Sequence, residues 1–247
     1  MNIVKRIERA LLQKLLPQPA GVRHGEYSML FSADDAVGQP SDRLIKIALQ
    51  AVAEARTITL DAICARMPEP PWYPNIWPGE LYRLLAGLVR VLQPARIIEV
   101  GTGLGTSTLT MAQASPPGTR IVTFDILGWR QSPNSLLREN DFAGGRLVQY
   151  TDDVSWPEEF AKHRQAFQDA DFLFLDAAKD GFMEDRLLRL LQSVTFRTTP
   201  IVMFDDIRVW NMLKVWREIP FPKLDLTSFG HWTGTGLVEW PAEKSLA

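Results

Sequence analysis

Cysteine occurs once in the 247 residues, at Cys64, so no intrachain disulfide can close and no thiolate cluster can hold a metal. Such usage fits a reducing cytoplasm. An excess of one charge is also missing: 27 Lys and Arg stand against 29 Asp and Glu. With no basic stripe, there is nothing to draw a nucleic-acid partner. The opening stretch MNIVKRIERALLQKLLPQPAG has apolar residues at helical period, Ile3, Ile7, Leu11 and Leu15, yet lacks an unbroken apolar run. Lys5, Arg6, Glu8, Arg9 and Lys14 interrupt it too often for a signal-peptide core or a membrane span. Internal repeats and low-complexity tracts are absent as well.

What is present falls into two parts. Residues 1–78 read as a helical N-terminal extension followed by a Pro/aromatic-rich lid. SDRLIKIALQAVAEA starts a helix at a Ser41 or Asp42 cap, and TLDAICARM reads as a shorter one. MPEPPWYPNIWPGE cannot be regular structure, because proline removes N–H donors and fixes φ. It is a loop carrying Trp72, Tyr73 and Trp77, either a linker or a lid over a pocket. The helical region also suits a homodimer contact.

Residues 79–247 alternate. Helices near 79–93, 105–114, 134–140, 156–168, 182–193 and 208–218 interleave with strands near 96–100, 120–125, 146–150, 171–175 and 200–204. Strand-like segments at 223–227 and 235–240 close the chain. The expectation is an α/β fold: a doubly wound seven-stranded sheet, mostly parallel with the last strand antiparallel, flanked by helices.

IIEVGTGLGTSTLTMA, residues 97–112, joins the first strand to its helix, where doubly wound folds bind nucleotides. Its spacing, Gly101-x-Gly103-x-Gly105, is not the G-x-G-x-x-G of a dinucleotide site. Glu99 just before it would repel a pyrophosphate and suit a cation. Asp125 ends the second strand in IVTFDI, where a carboxylate can accept both ribose hydroxyls. Tyr150 is the last tyrosine, so the Tyr-x-x-x-Lys pair of many nicotinamide oxidoreductases cannot form later in the chain. A positively charged nucleoside without phosphates is S-adenosylmethionine.

On EVGTGLGTS and FDI the sequence resembles the class I S-adenosylmethionine-dependent methyltransferases. That resemblance implies a cofactor site at Glu99, Gly101, Thr102, Gly103, Gly105, Thr106, Ser107, Asp125, Ile126 and Asp176, with Asp152 or Asp153 of YTDD on the adenine amino group.

The fourth strand ends FLFLDAAKDGF and the fifth IVMFDDIRVWNM. Asp176, Asp205 and Asp206 would converge there with Lys179, an oxygen set suited to Mg²⁺ or another hard divalent ion. This arrangement is similar to the catechol and caffeoyl-coenzyme A O-methyltransferase branch. The resemblance implies a metal on Asp176, Asp205 and Asp206 and Lys179 as base, although Asp206 stands where that branch has asparagine. A metal-free reading leaves Asp176 as base or substrate anchor, with Lys179 or His231 as the other candidate bases. His231, in LTSFGHWTGTGL, reads either as catalytic or as a turn histidine bonded to backbone. Trp129, Trp156 and Trp210 follow strand ends and favour a flat, apolar acceptor.

The expected function is methyl transfer to a hydroxyl of a small, natural-product-like molecule, with a divalent metal as an optional assistant. A methyltransferase-fold binding protein without catalysis, and a metal-independent enzyme acting on another acceptor atom, are the alternatives. No Asn/Asp-Pro-Pro-Tyr motif follows the fourth strand, so the amino-methylating DNA enzymes are disfavoured.

Overall fold

The computed structural model describes residues 39–69 and 73–242. The helix read over the first 16 residues, together with Trp72, lies outside them. Helix α1 (Asp42–Ala55) starts as read, with Ser41 Oγ accepting from the Leu44 N–H at 3.0 Å. A short α2 (Asp61–Cys64) and a 3₁₀ turn (Tyr73–Asn75) lead to α3 (Tyr82–Leu92).

Strands β1 (Arg96–Val100), β2 (Arg120–Phe124), β3 (Leu147–Tyr150), β4 (Phe172–Leu175) and β5 (Ile201–Asp205) are parallel. Between them run α4 (Thr106–Ala114), α5 (Pro157–Gln168) and α6 (Phe182–Gln192). After α7 (Met212–Glu218), β6 (Lys223–Asp225) and β7 (Thr235–Glu239) complete a sheet of order β3-β2-β1-β4-β5-β7-β6. The two last strands do form an antiparallel pair at one edge, but β7 is inserted between β5 and β6 and runs antiparallel to both.

Strand alternation sorts the core into two layers. Ile97, Phe172, Phe174, Ile201, Met203 and Leu237 face α1, α3 and α4. Ile98, Val100, Leu173, Leu175, Val202 and Phe204 face α5, α6 and α7. Both faces are therefore covered, which is why the parallel strands read as continuous apolar runs.

One helix expected from the sequence does not form. Residues 134–138 are not helical, and a 3₁₀ segment occupies Glu139–Gly145 instead. The Leu136 N–H donates to the Leu104 carbonyl at 2.9 Å, and the Leu137 side chain packs on Gly105. Tertiary contacts with the glycine loop thus outweigh helix propensity there.

Candidate active site

The strand order reverses direction at β1, which sits between β2 and β4, and a crevice opens above the carboxyl ends of the strands. A cavity of about 440 Å³ lies there. Gly101, Gly103, Asp125, Ile126, Asp152, Asp153 and Asp176 all line it. Gly101 has φ +103°, and a Cβ at that position would lie 1.9 Å from the Asp176 carbonyl oxygen, so only glycine lets β1 and β4 end side by side.

Asp125 is fixed by the backbone. Its Oδ2 accepts from the Gly103 N–H at 2.9 Å and its Oδ1 from the Leu127 N–H at 3.0 Å. Each carboxylate oxygen has two lone pairs, so both retain acceptor capacity toward the cavity. Asp152 pairs with His163 Nε2 at 2.7 Å, while Asp153 Oδ1 accepts from the N–H and hydroxyl of Ser155 at 3.0 and 2.7 Å.

Other residues of the cofactor reading lie beneath the glycine loop rather than on the lining. Glu99 is wholly buried, accepting from Ser107 Oγ at 2.5 Å and from the Thr108 hydroxyl. Burial raises its pKa to about 7 in spite of these hydroxyl donors. Thr102, Thr106 and Ser107 are also buried, and Thr102 Oγ1 shares a hydrogen bond with Thr123 Oγ1 at 2.7 Å. Gly105 opens α4 at φ +87°. These groups build the loop and set the start of α4.

Three further lining residues, Asp180, Met183 and Arg186, do not follow from the sequence motifs. Met183 and Arg186, three apart on α6, share one helix face, the signal that would have found them, while Asp180 sits on the turn before the Gly181 N-cap. The Arg186 guanidinium stacks over Trp156 at 4.7 Å and donates to Ser155 Oγ at 2.8 Å. The lining thus carries five carboxylates, Asp125, Asp152, Asp153, Asp176 and Asp180, against the single cation of Arg186.

Beside Asp176 lies an ionic cluster. Lys179 Nζ is 2.5 Å from Asp176 Oδ1 and 2.5 Å from Asp206 Oδ2, with Asp205 Oδ2 farther off at 3.9 Å. His231 Nδ1 lies 3.2 and 3.3 Å from the two oxygens of Asp205 and 3.5 Å from Asp206 Oδ1. Thr233 donates its hydroxyl hydrogen bond to Asp206. Burial raises Asp205 to about 6, and the neighbouring carboxylates add to the rise. Burial also opposes charge on Asp206, but His231 and Lys179 carry its pKa down to about 2. For His231 burial is outweighed by Asp205 and Asp206, which hold its pKa at about 10. Lys179 is likewise held above its ordinary value against burial by Asp176 and Asp206. Among the described residues, ligand atoms of Asp205, Asp206 and His231 lie within 4.8 Å of one another. Asp176, the third carboxylate of the expected metal set, is paired with Lys179 instead.

A family model described as O-methyltransferase matches residues 69–213, more than half of the chain. This chain belongs to the O-methyltransferase family. It is 27% identical to the catechol O-methyltransferase of Mus musculus over 156 residues, 61% of this chain and 56% of that protein. The chain therefore spans about half the length of the curated relative it matches. Among solved structures it is similar to the SAH-bound methyltransferase PaMTH1 of Podospora anserina, at 15% identity and TM-score 0.46 over 98% of this chain and 97% of that one. An O-methyltransferase of Bacillus cereus in complex with SAH is similar at 14% identity and TM-score 0.46, over 95% and 97% of the two chains. Likeness at that level carries no functional argument.

In this O-methyltransferase-family chain four exposed aromatics follow β4 and β5 or lie between β6 and β7: Phe182, the first residue of α6, and Trp210, Phe229 and Trp232 in the connecting segments. The proline-rich loop is tied to the β6–β7 connection. Trp77 Nε1 donates to the Phe229 carbonyl at 2.7 Å, and the two rings stack at 6.4 Å. Of the other tryptophans read as favouring a flat, apolar acceptor, Trp129 stacks on Phe142 at 5.0 Å beside edge strand β3.

Proposed function

We propose that this chain methylates a hydroxyl of a small, flat, apolar-bodied molecule, a phenol being the type, with S-adenosylmethionine as donor. One observation carries the reading: Asp125 is locked by two backbone N–H groups at the mouth of a cavity lined by five carboxylates and one arginine. Such a lining attracts a cationic nucleoside and repels a pyrophosphate. The cavity volume and the open space at Gly103 leave room for a nucleoside.

When bound there, S-adenosylmethionine supplies an electrophilic methyl group on a sulfonium. Asp125 would accept hydrogen bonds from the ribose hydroxyls, and Asp152 or Asp153 from the adenine amino group. Phe182, Trp210 and Trp232 give the acceptor ring apolar surface, consistent with the likeness to a catechol-methylating relative. Asp176 and Lys179 stand where the cofactor cavity meets the ionic cluster, so they meet the acceptor oxygen and hold it for in-line attack. His231, wedged among carboxylates, orients that cluster. We place the protein in the cytoplasm, in keeping with its single cysteine. Among the described residues no helix is long and apolar enough to cross a membrane.

Calorimetric titration with S-adenosylhomocysteine in the presence of chelator tests the reading. One saturable site is expected, and Asp125→Ala should weaken it at least tenfold, the loss of charge-assisted hydrogen bonds worth about 1.5–3 kcal/mol each. Absence of binding to the unaltered chain would reduce the glycine loop to a structural turn.

A further inference from the structure

The divalent ion implied by the family branch does not fit the cluster as built. Mg²⁺ holds its oxygen ligands at about 2.0–2.1 Å. The Lys179 ammonium already lies 2.5 Å from one oxygen of Asp176 and one of Asp206, so a dication shared by those two carboxylates and the ammonium exclude each other, in space and by charge. Asp206 has its second oxygen on Thr233, and both oxygens of Asp205 face His231.

The backbone is shaped for this pairing. Lys179 and Asp206 both sit in the left-handed region, at φ +61° and +60°, where residues with a Cβ are rare and strained. Glu184, buried on α6, holds the first of these turns by accepting from the Lys179 N–H at 2.6 Å and the Gly181 N–H at 2.9 Å. Two strained turns, one after β4 and one after β5, thus aim an ammonium at two carboxylates. An ammonium has three donors. Two are committed to Asp176 and Asp206, and Asp205 at 3.9 Å is beyond hydrogen-bonding distance.

We propose that Lys179 takes the place of the divalent metal: its ammonium, bridging Asp176 and Asp206, presents its remaining N–H to the acceptor oxygen and stabilises the negative charge that develops there. The inference rests on the methyltransferase reading above. In the step, the acceptor O–H breaks and its proton passes to the Asp176 carboxylate. The oxygen lone pair forms the O–CH₃ bond, and the methyl–sulfur bond breaks with its pair going to sulfur, leaving a methyl ether and S-adenosylhomocysteine. Lys179 stays protonated throughout, acting as an electrostatic group rather than a base.

Manganese(II) is the probe. Its binding to the full chain, saturated with S-adenosylhomocysteine, is followed by the loss of the free-ion paramagnetic resonance signal. The unaltered chain is expected to bind no stoichiometric ion at 1 mM, roughly the upper limit of specific sites of this kind. Lys179→Met, which keeps the stem and removes the charge, should uncover the carboxylates and bind one ion at least tenfold more tightly than the unaltered chain. Lys179→Gln serves if the methionine variant does not fold. Stoichiometric manganese on the unaltered chain overturns the proposal, as does silence in a folded Lys179 variant that still binds S-adenosylhomocysteine. Failure of the unaltered chain to bind S-adenosylhomocysteine would instead strike the methyltransferase reading, so the two failures are distinguishable.

Discussion

Asp125 and Glu99 are both acids at the carboxyl ends of neighbouring strands, yet the fold treats them in opposite ways. Asp125 lines the cavity and is held by backbone donors, whereas Glu99 is sealed under α4 with hydroxyls for company. The sign of the Glu99 effect on stability follows from its raised pKa. The folded chain binds this proton more tightly than the unfolded one, so its contribution is complete below about pH 4.5 and is lost as pH rises through about 7. Glu99→Gln should flatten that loss, a tenfold difference in proton affinity between the folded and unfolded chain being worth about 1.4 kcal/mol. Denaturant unfolding at a series of pH values reads it, and an unchanged slope between pH 5 and 8 would show that Glu99 titrates normally. Sequence spacing located both acids but could not tell lining from burial, because that depends on the hydroxyls Ser107 and Thr108 turning inward from α4.

Elements were largely legible, since periodicity and caps are local. Of the two caps read for α1, Ser41 and Asp42, the structure uses Ser41, and α5 and α6 start within a residue of their expected positions. Residues 134–138 escape local pattern because the partner that claims their backbone, the Leu104 carbonyl, is some thirty residues away in sequence. The crossing of α1 and α3 was also hidden. A Cβ on Gly87 would lie 2.4 Å from the Ala51 carbonyl oxygen, so the helices touch backbone to backbone there. Gly87→Ala should therefore cost about 1–3 kcal/mol by forcing them apart. Gly118→Ala, with open space around it, should stay within about 0.5 kcal/mol of the unaltered chain. Equal melting temperatures for the two variants would refute the close crossing.

At the scale of the whole molecule, α1 shares one apolar cluster with α3 and the sheet, and Arg43 and Ser41 reach Glu239 on β7. The two parts read at residue 78 are thus interlocked within the described residues. Urea unfolding followed by tryptophan fluorescence and by far-ultraviolet circular dichroism should give coincident transitions, and separate midpoints would show that the parts unfold independently. S-adenosylhomocysteine at a hundred times its dissociation constant should add about 2.7 kcal/mol to that stability, read as a higher melting temperature. The amino-acid order by itself determined the alternation of strands and helices, the glycine loop and the acids at the strand ends, because each is encoded in a few neighbouring residues. Only the tertiary structure decided the insertion of β7 between β5 and β6, the burial of Glu99 and the seating of Lys179 between Asp176 and Asp206. Each of those depends on how separate elements pack: β7 pairs with strands on both sides, α4 turns its hydroxyls onto Glu99 on β1, and the turns after β4 and β5 bring Lys179 and Asp206 together. Desolvation and charge pairing, not local pattern, therefore select the arrangement.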